Sequence, residues 1–115
     1  MDKHELERRT KAFSIQVIRY VSELPKNKVT DVLGYQLLKS STSIGANYRE
    51  ANRAESRSDF IHKIGIVEKE AAETRYWLEL CQETNLGAPE ARKSLLQESS
   101  ELLAIFTSIG HSSKK

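Results

Sequence analysis

Glu50, Glu70 and Glu73 are where this chain comes nearest to chemistry, because glutamates on neighbouring helices can hold a pair of metal ions. Bundle sites of that kind use Glu-x-x-His, yet three residues beyond Glu50 and Glu70 stand Arg53 and Glu73. His4, His62 and His111 are scattered over three regions, and the chain has no phosphate-binding glycine loop, no paired-cysteine site and no His-Glu-x-x-His. No catalytic residue, metal or cofactor is therefore expected. The carboxylates are expected to pair with nearby hydroxyls and amides or with Arg49 and Arg53. The one cysteine, Cys81, cannot form an internal disulfide, and its place on an apolar stripe predicts a small buried side chain.

The elements that would position these groups follow from periodicity. In and just before Gln36–Ala54 an apolar stripe at Leu33, Leu37, Ile44, Tyr48 and Ala51 adjoins a polar one at Gln36, Ser40, Ser43, Asn47 and Glu50. Buried hydroxyls and amides left unpaired cost about 1–3 kcal/mol each, so the neighbouring helix should supply partners. That helix is the clearest in the chain. Phe60, Ile64, Val67, Ala71, Thr74, Leu78 and Cys81 step by four and three, beside a second stripe of Ile66, Glu70, Glu73 and Trp77. Glu70 or Glu73 is expected to accept from the Ser43 hydroxyl or the Asn47 amide, with Trp77 covering them. The result would be a polar cluster of Ser40, Ser43, Asn47, Glu50, Glu70, Glu73 and Trp77.

The first helix should run from about Lys3 to Leu24, burying Leu6, Phe13, Val17, Tyr20 and Leu24, and end at Pro25. Thr30 or Asn27 can cap the second helix, in which Gly34 and Gly45 predict close approach of another backbone where Ser43 and Asn47 need partners. Ser56 followed by Asp59 resembles a capping box for the third. Asn85 and Gly87 stop it, and Pro89 suits the first turn of a fourth helix with a seam of Leu95, Ser99, Leu102, Phe106 and Ile109. Gly110 should close that helix and leave a frayed tail. At 115 residues these elements predict one all-α domain spanning residues 1–115, an up-down-up-down antiparallel four-helix bundle. The N-terminus lacks the apolar core of a signal peptide and the apolar runs are too short to span a bilayer, so a cytoplasmic protein with no membrane partner is expected.

With 18 Lys and Arg against 16 Asp and Glu, the net charge is only +2, which permits nucleic acid without requiring it. The basic residues nevertheless fall into two groups. Arg8, Arg9, Lys11 and Arg19 lie along the first helix, with Lys26 beyond it, and Arg49, Arg53 and Arg57 follow at four-residue steps. Glu50, Glu55 and Asp59 stand near enough to Arg49 and Arg53 to neutralise them. Of the candidate phosphate contacts Arg8, Arg9, Lys11, Arg19, Lys26, Arg49 and Arg53, the face shared by Arg8, Lys11 and Arg19 is therefore the favoured one, in a mode without base readout.

The runs SIGANYREANRAES (Ser43–Ser56), DFIHKIGI (Asp59–Ile66) and KEAAETRYWLEL (Lys69–Leu80) resemble the bacterial four-helix-bundle proteins encoded in intervening sequences of 23S ribosomal RNA genes. The family pattern falls on Ser43, Ile44, Ala46, Asn47, Glu50, Phe60, Glu73, Trp77 and Leu78. The fold is also similar to that of the accessory variability proteins of diversity-generating retroelements. The resemblance implies a ring, a homopentamer of bundles, that binds RNA or DNA. A protein-interaction scaffold, for example an accessory partner of a reverse transcriptase, is the alternative. Apolar Ile61, Ile66, Tyr76, Trp77 and Leu80 outside the third-helix seam exceed what four helices can cover, which agrees with assembly.

Overall fold

The computed structural model describes all residues, 1–115, as four helices and no strands: α1 (Lys3–Ser22), α2 (Lys28–Ala51), α3 (Arg57–Glu83) and α4 (Pro89–Ser113). Each helix packs against the next, and α1 closes against α4, so the four form an antiparallel bundle 44 Å long and 21 Å across. None is long and apolar enough to cross a membrane. The α1–α2 and α3–α4 turns share one end, and both termini share the other with the α2–α3 turn.

The starts obey local chemistry. Asp2 accepts from the Glu5 amide at 2.8 Å, Asn27 and Thr30 form a reciprocal capping box, and Ser56 accepts from the Asp59 amide at 3.0 Å. α4 has only Pro89 in its first turn. α3 ends in a Schellman turn, in which Asn85 takes φ 54° and the Leu86 amide reaches back to the Cys81 carbonyl at 2.9 Å.

Leu6, Phe13, Val17, Tyr20 and Leu24 are buried from α1, as are Leu37, Ile44, Tyr48 and Ala51 from α2. Ile64, Val67, Ala71, Leu78 and Cys81 meet them from α3, and Leu95, Leu102 and Phe106 from α4. Polar residues complete the seams. Thr10 fills the step between Leu6 and Phe13 with its hydroxyl on the Leu6 carbonyl at 3.0 Å, so a helical threonine satisfies itself within the core.

Two features depart from the sequence expectation. Gly45 does create a close approach, but to α1: a Cβ there would lie 3.1 Å from the Thr10 hydroxyl, and one on Gly34 would lie 3.0 Å from Val21. Gly110 does not close α4. It is buried beneath the Glu68 carboxylate, the helix continues to Ser113, and the Arg57 guanidinium holds its end through the carbonyls of Ser113, at 2.7 and 3.0 Å, and Lys115. The Ser113 carbonyl has no partner within the helix and belongs to its negative dipole end, which a guanidinium answers.

Candidate nucleic-acid interface

The polar stripe of α2 is organised differently from its expected form. Ser43 reaches the Lys39 carbonyl at 2.7 Å and the Asn47 amide donates to the Ser43 carbonyl at 2.9 Å, both within their own helix. Neither Glu70 nor Glu73 is a partner of either side chain. Back-bonding to the preceding turn removes the need for a carboxylate across the interface. The link between the helices is one residue group further in, where the buried Ser40 and Thr74 hydroxyls lie 2.9 Å apart and Thr74 also reaches the Glu70 carbonyl at 2.8 Å. Glu73 is exposed and Glu70 half-buried. Burial, then the charge of Glu73, pushes the Glu70 carboxyl above the usual range. Trp77 packs edge-on against Tyr76 at 5.1 Å, and its buried indole N–H has no partner.

Glu50 pairs with neither Arg49 nor Arg53 and takes Lys63 at 3.2 Å. Successive helical residues diverge by about 100°, which sends Glu50 toward α3 while Arg49 turns toward α1. Arg49 and Arg53 are both exposed and have no carboxylate partner, contrary to the expected neutralisation.

Arg9 goes the other way. Its guanidinium grips Glu98 through two bonds of 2.7 Å and reaches Glu101 at 2.9 Å, fastening α1 to α4. Glu98 above all raises the Arg9 pKa, and Gln97 followed by Arg9 holds the Glu101 carboxyl below its ordinary range. Arg9 is thus withdrawn from the candidate phosphate contacts. The sequence held a sign of this in Glu98 and Glu101, three residues apart on one face of the helix that closes against α1.

Arg8, Lys11, Arg19 and Lys26 remain exposed without ion pairs. Lys11 and Arg49 face a groove of about 380 Å³ between α1 and α2, floored by Ile15, Thr42, Gly45 and Ala46. Arg49 also lines a second cleft, of about 460 Å³, where the start of α1 meets the end of α2. Lys3, His4 and Arg53 converge there with it, two of them outside the sequence-based candidates. Antiparallel pairing of the first two helices was the available signal, since it brings residues 3–7 beside residues 49–53. Glu50 lines this cleft too, and Glu7 faces the cations but accepts from the Asn52 amide at 2.9 Å. That bond foremost, then Arg49, His4 and Lys3, lowers its pKa.

At the opposite end a different arginine is buried. Arg92 donates to Gln82 Oε1 at 2.7 Å, to the Gly87 and Leu86 carbonyls at 2.6 and 3.4 Å, and to Asn85 Oδ1 at 3.2 Å, all neutral groups. The Tyr20 hydroxyl also donates to the Leu86 carbonyl. Burial, then the adjacent Cys81, raises the Tyr20 pKa, and burial raises that of the Cys81 thiol. Cys81 is therefore a packed thiol at neutral pH.

No group of three or more His, Cys, Asp or Glu side chains could hold a metal ion. The molecule is thus defined as a four-helix bundle with exposed, unpaired cations along α1 and around the end of α2. The model of the 23S rRNA-intervening sequence protein family matches residues 2–108, and the chain belongs to that family. A crystal structure of a protein of unknown function from the S23 ribosomal protein family of Bacteroides thetaiotaomicron VPI-5482 is similar, with a TM-score of 0.86 and 37% identity, covering 96% of this chain and 99% of that one. No curated protein matches.

Proposed function

We propose that this protein is a non-catalytic, oligomeric nucleic-acid-binding protein that grips RNA or DNA through phosphates, without reading bases. One observation carries the proposal: Glu7 and Glu50 are engaged by other groups, whereas the exposed cations Arg8, Lys11, Arg19, Arg49 and Arg53 form no ion pair. Unpaired, exposed guanidinium and ammonium groups release counterions when they meet phosphates. Membership of a family described by its association with 23S rRNA intervening sequences agrees with such a ligand. A net charge of +2 per chain suffices if copies repeat around a ring, because multivalency multiplies weak contacts. The homopentamer implied by family resemblance is proposed as that ring. A monomer in light scattering at micromolar concentration would reject it.

The test is fluorescence anisotropy with unrelated RNA and DNA strands. Replacing Arg8, Lys11 and Arg19 by Gln should weaken binding to all of them alike. Unchanged affinity excludes the α1 face. A second reading, a scaffold for a protein partner such as a reverse transcriptase, is favoured by exposed Val29, Val32, Tyr35 and Tyr76 and by the unpartnered Trp77 indole. Capture of such a partner insensitive to salt, with no nucleic acid bound, would establish it instead.

A further inference from the structure

We infer that the cleft between the start of α1 and the end of α2 receives the terminal phosphate of a nucleic-acid strand, whose backbone continues along the α1–α2 groove. The inference rests on the nucleic-acid reading above and assigns the strand its end and its direction. Arg49 in the last turn of α2 and Arg53 in the turn just beyond it line the same cleft, so their two guanidinium forks can approach one phosphate group. Lys3 and His4 approach from α1. Three fixed positive charges, Lys3, Arg49 and Arg53, share the cleft with two carboxylates, Glu7 and Glu50, and Lys63 offsets the second of these from outside it. The positive excess suits a phosphomonoester, which carries about −1.5 to −2 at neutral pH, better than a singly charged diester.

The form of the cleft agrees with its charge. At about 460 Å³ it is the size of a small-ligand pocket, but no hydrophobic residue lines it, so it offers a phosphate and sugar ample donors. It opens at the end of the bundle, and the groove containing Lys11 begins where it stops, with Arg49 common to both. A strand anchored by its end phosphate would therefore lay its following diesters past Lys11.

The experiment compares one oligonucleotide in three forms, with a 5′-phosphate, with a 3′-phosphate, and with hydroxyls at both ends, against the full-length protein, R49Q/R53Q and R8Q/K11Q/R19Q. Both substituted sets are exposed, and unchanged thermal midpoints verify folding. One phosphorylated form should bind the parent about tenfold more tightly than the hydroxyl form, the effect of a charge-assisted contact of modest strength. R49Q/R53Q should abolish that ratio, and R8Q/K11Q/R19Q should weaken all three forms while preserving it. Inorganic phosphate at the strand's concentration should not displace the phosphorylated form; displacement would make this a free-phosphate site and overturn the inference. Equal binding of all forms, or a ratio that survives R49Q/R53Q, overturns the strand-end assignment while leaving the function reading standing. Absence of binding in every arm overturns both.

Discussion

The two ends of the bundle use arginine in opposite ways. At the α3–α4 turn, Arg92 is buried and every partner is a neutral acceptor, Gln82 at the end of α3 or a group of the loop that follows. At the end formed by the termini and the α2–α3 turn, Arg49 and Arg53 are exposed and unpaired beside a polar cleft. A buried guanidinium must be satisfied internally or the fold is destabilised, whereas an exposed one keeps its donors for a ligand. The same contrast runs across α1, where Arg9 is fixed to Glu98 and Glu101 and Arg8 beside it is free. Residue type alone therefore does not mark the proposed interface.

The largest expected effect comes from breaking the satisfied end. Arg92→Leu strands the Gln82, Asn85 and Gly87 acceptors and should destabilise the protein by about 3 kcal/mol in chemical denaturation. R49Q/R53Q, measured alongside, should stay within about 0.5 kcal/mol of the parent. A comparable loss in both would erase the contrast between the ends. Thr74→Val removes the hydroxyl that links the two central helices and should cost about 1 kcal/mol, while Asn47→Leu, whose bond is intrahelical, should cost less. The reverse order would restore a cross-helix role to Asn47.

The smallest effect concerns Glu70, and its direction with pH sharpens the picture. Because its folded pKa is raised, the native state holds a proton that the unfolded state releases, so stability falls as pH rises through the window between the two values. Glu70→Gln should therefore raise the melting temperature slightly at pH 7 and lose that advantage below about pH 4. A lowered melting temperature at pH 7 would mean that the carboxylate stabilises the fold.

Much of the fold was legible because apolar residues at steps of three and four define each helix face, and Asn27, Ser56 and Pro89 mark starts by local chemistry. Arg92 and Thr10 were legible only in part. Both continue their seams, Arg92 three residues before Leu95 and Thr10 four after Leu6, but their polarity hid them. The polar cluster failed as a cross-helix site because Ser43 and Asn47 satisfy themselves on the preceding turn, which side-chain periodicity does not distinguish from a bond across the interface. Ion pairs were least legible. Arg9 finds its partners 89 and 92 residues away, while Arg49 ignores its sequence neighbour Glu50. Sequence proximity misleads where helix rotation separates adjacent side chains.

The central claim is that cations left unpaired by the fold, and not those fastened within it, are the ones that meet phosphate. It is tested most directly by the salt dependence of strand binding in the parent, R8Q/K11Q/R19Q and Arg9→Gln. The slope of log affinity against log salt should flatten by roughly one unit per lost contact in the triple variant and remain at the parental value in Arg9→Gln. A parental slope in the triple variant, or an equal flattening caused by Arg9→Gln, would contradict the claim.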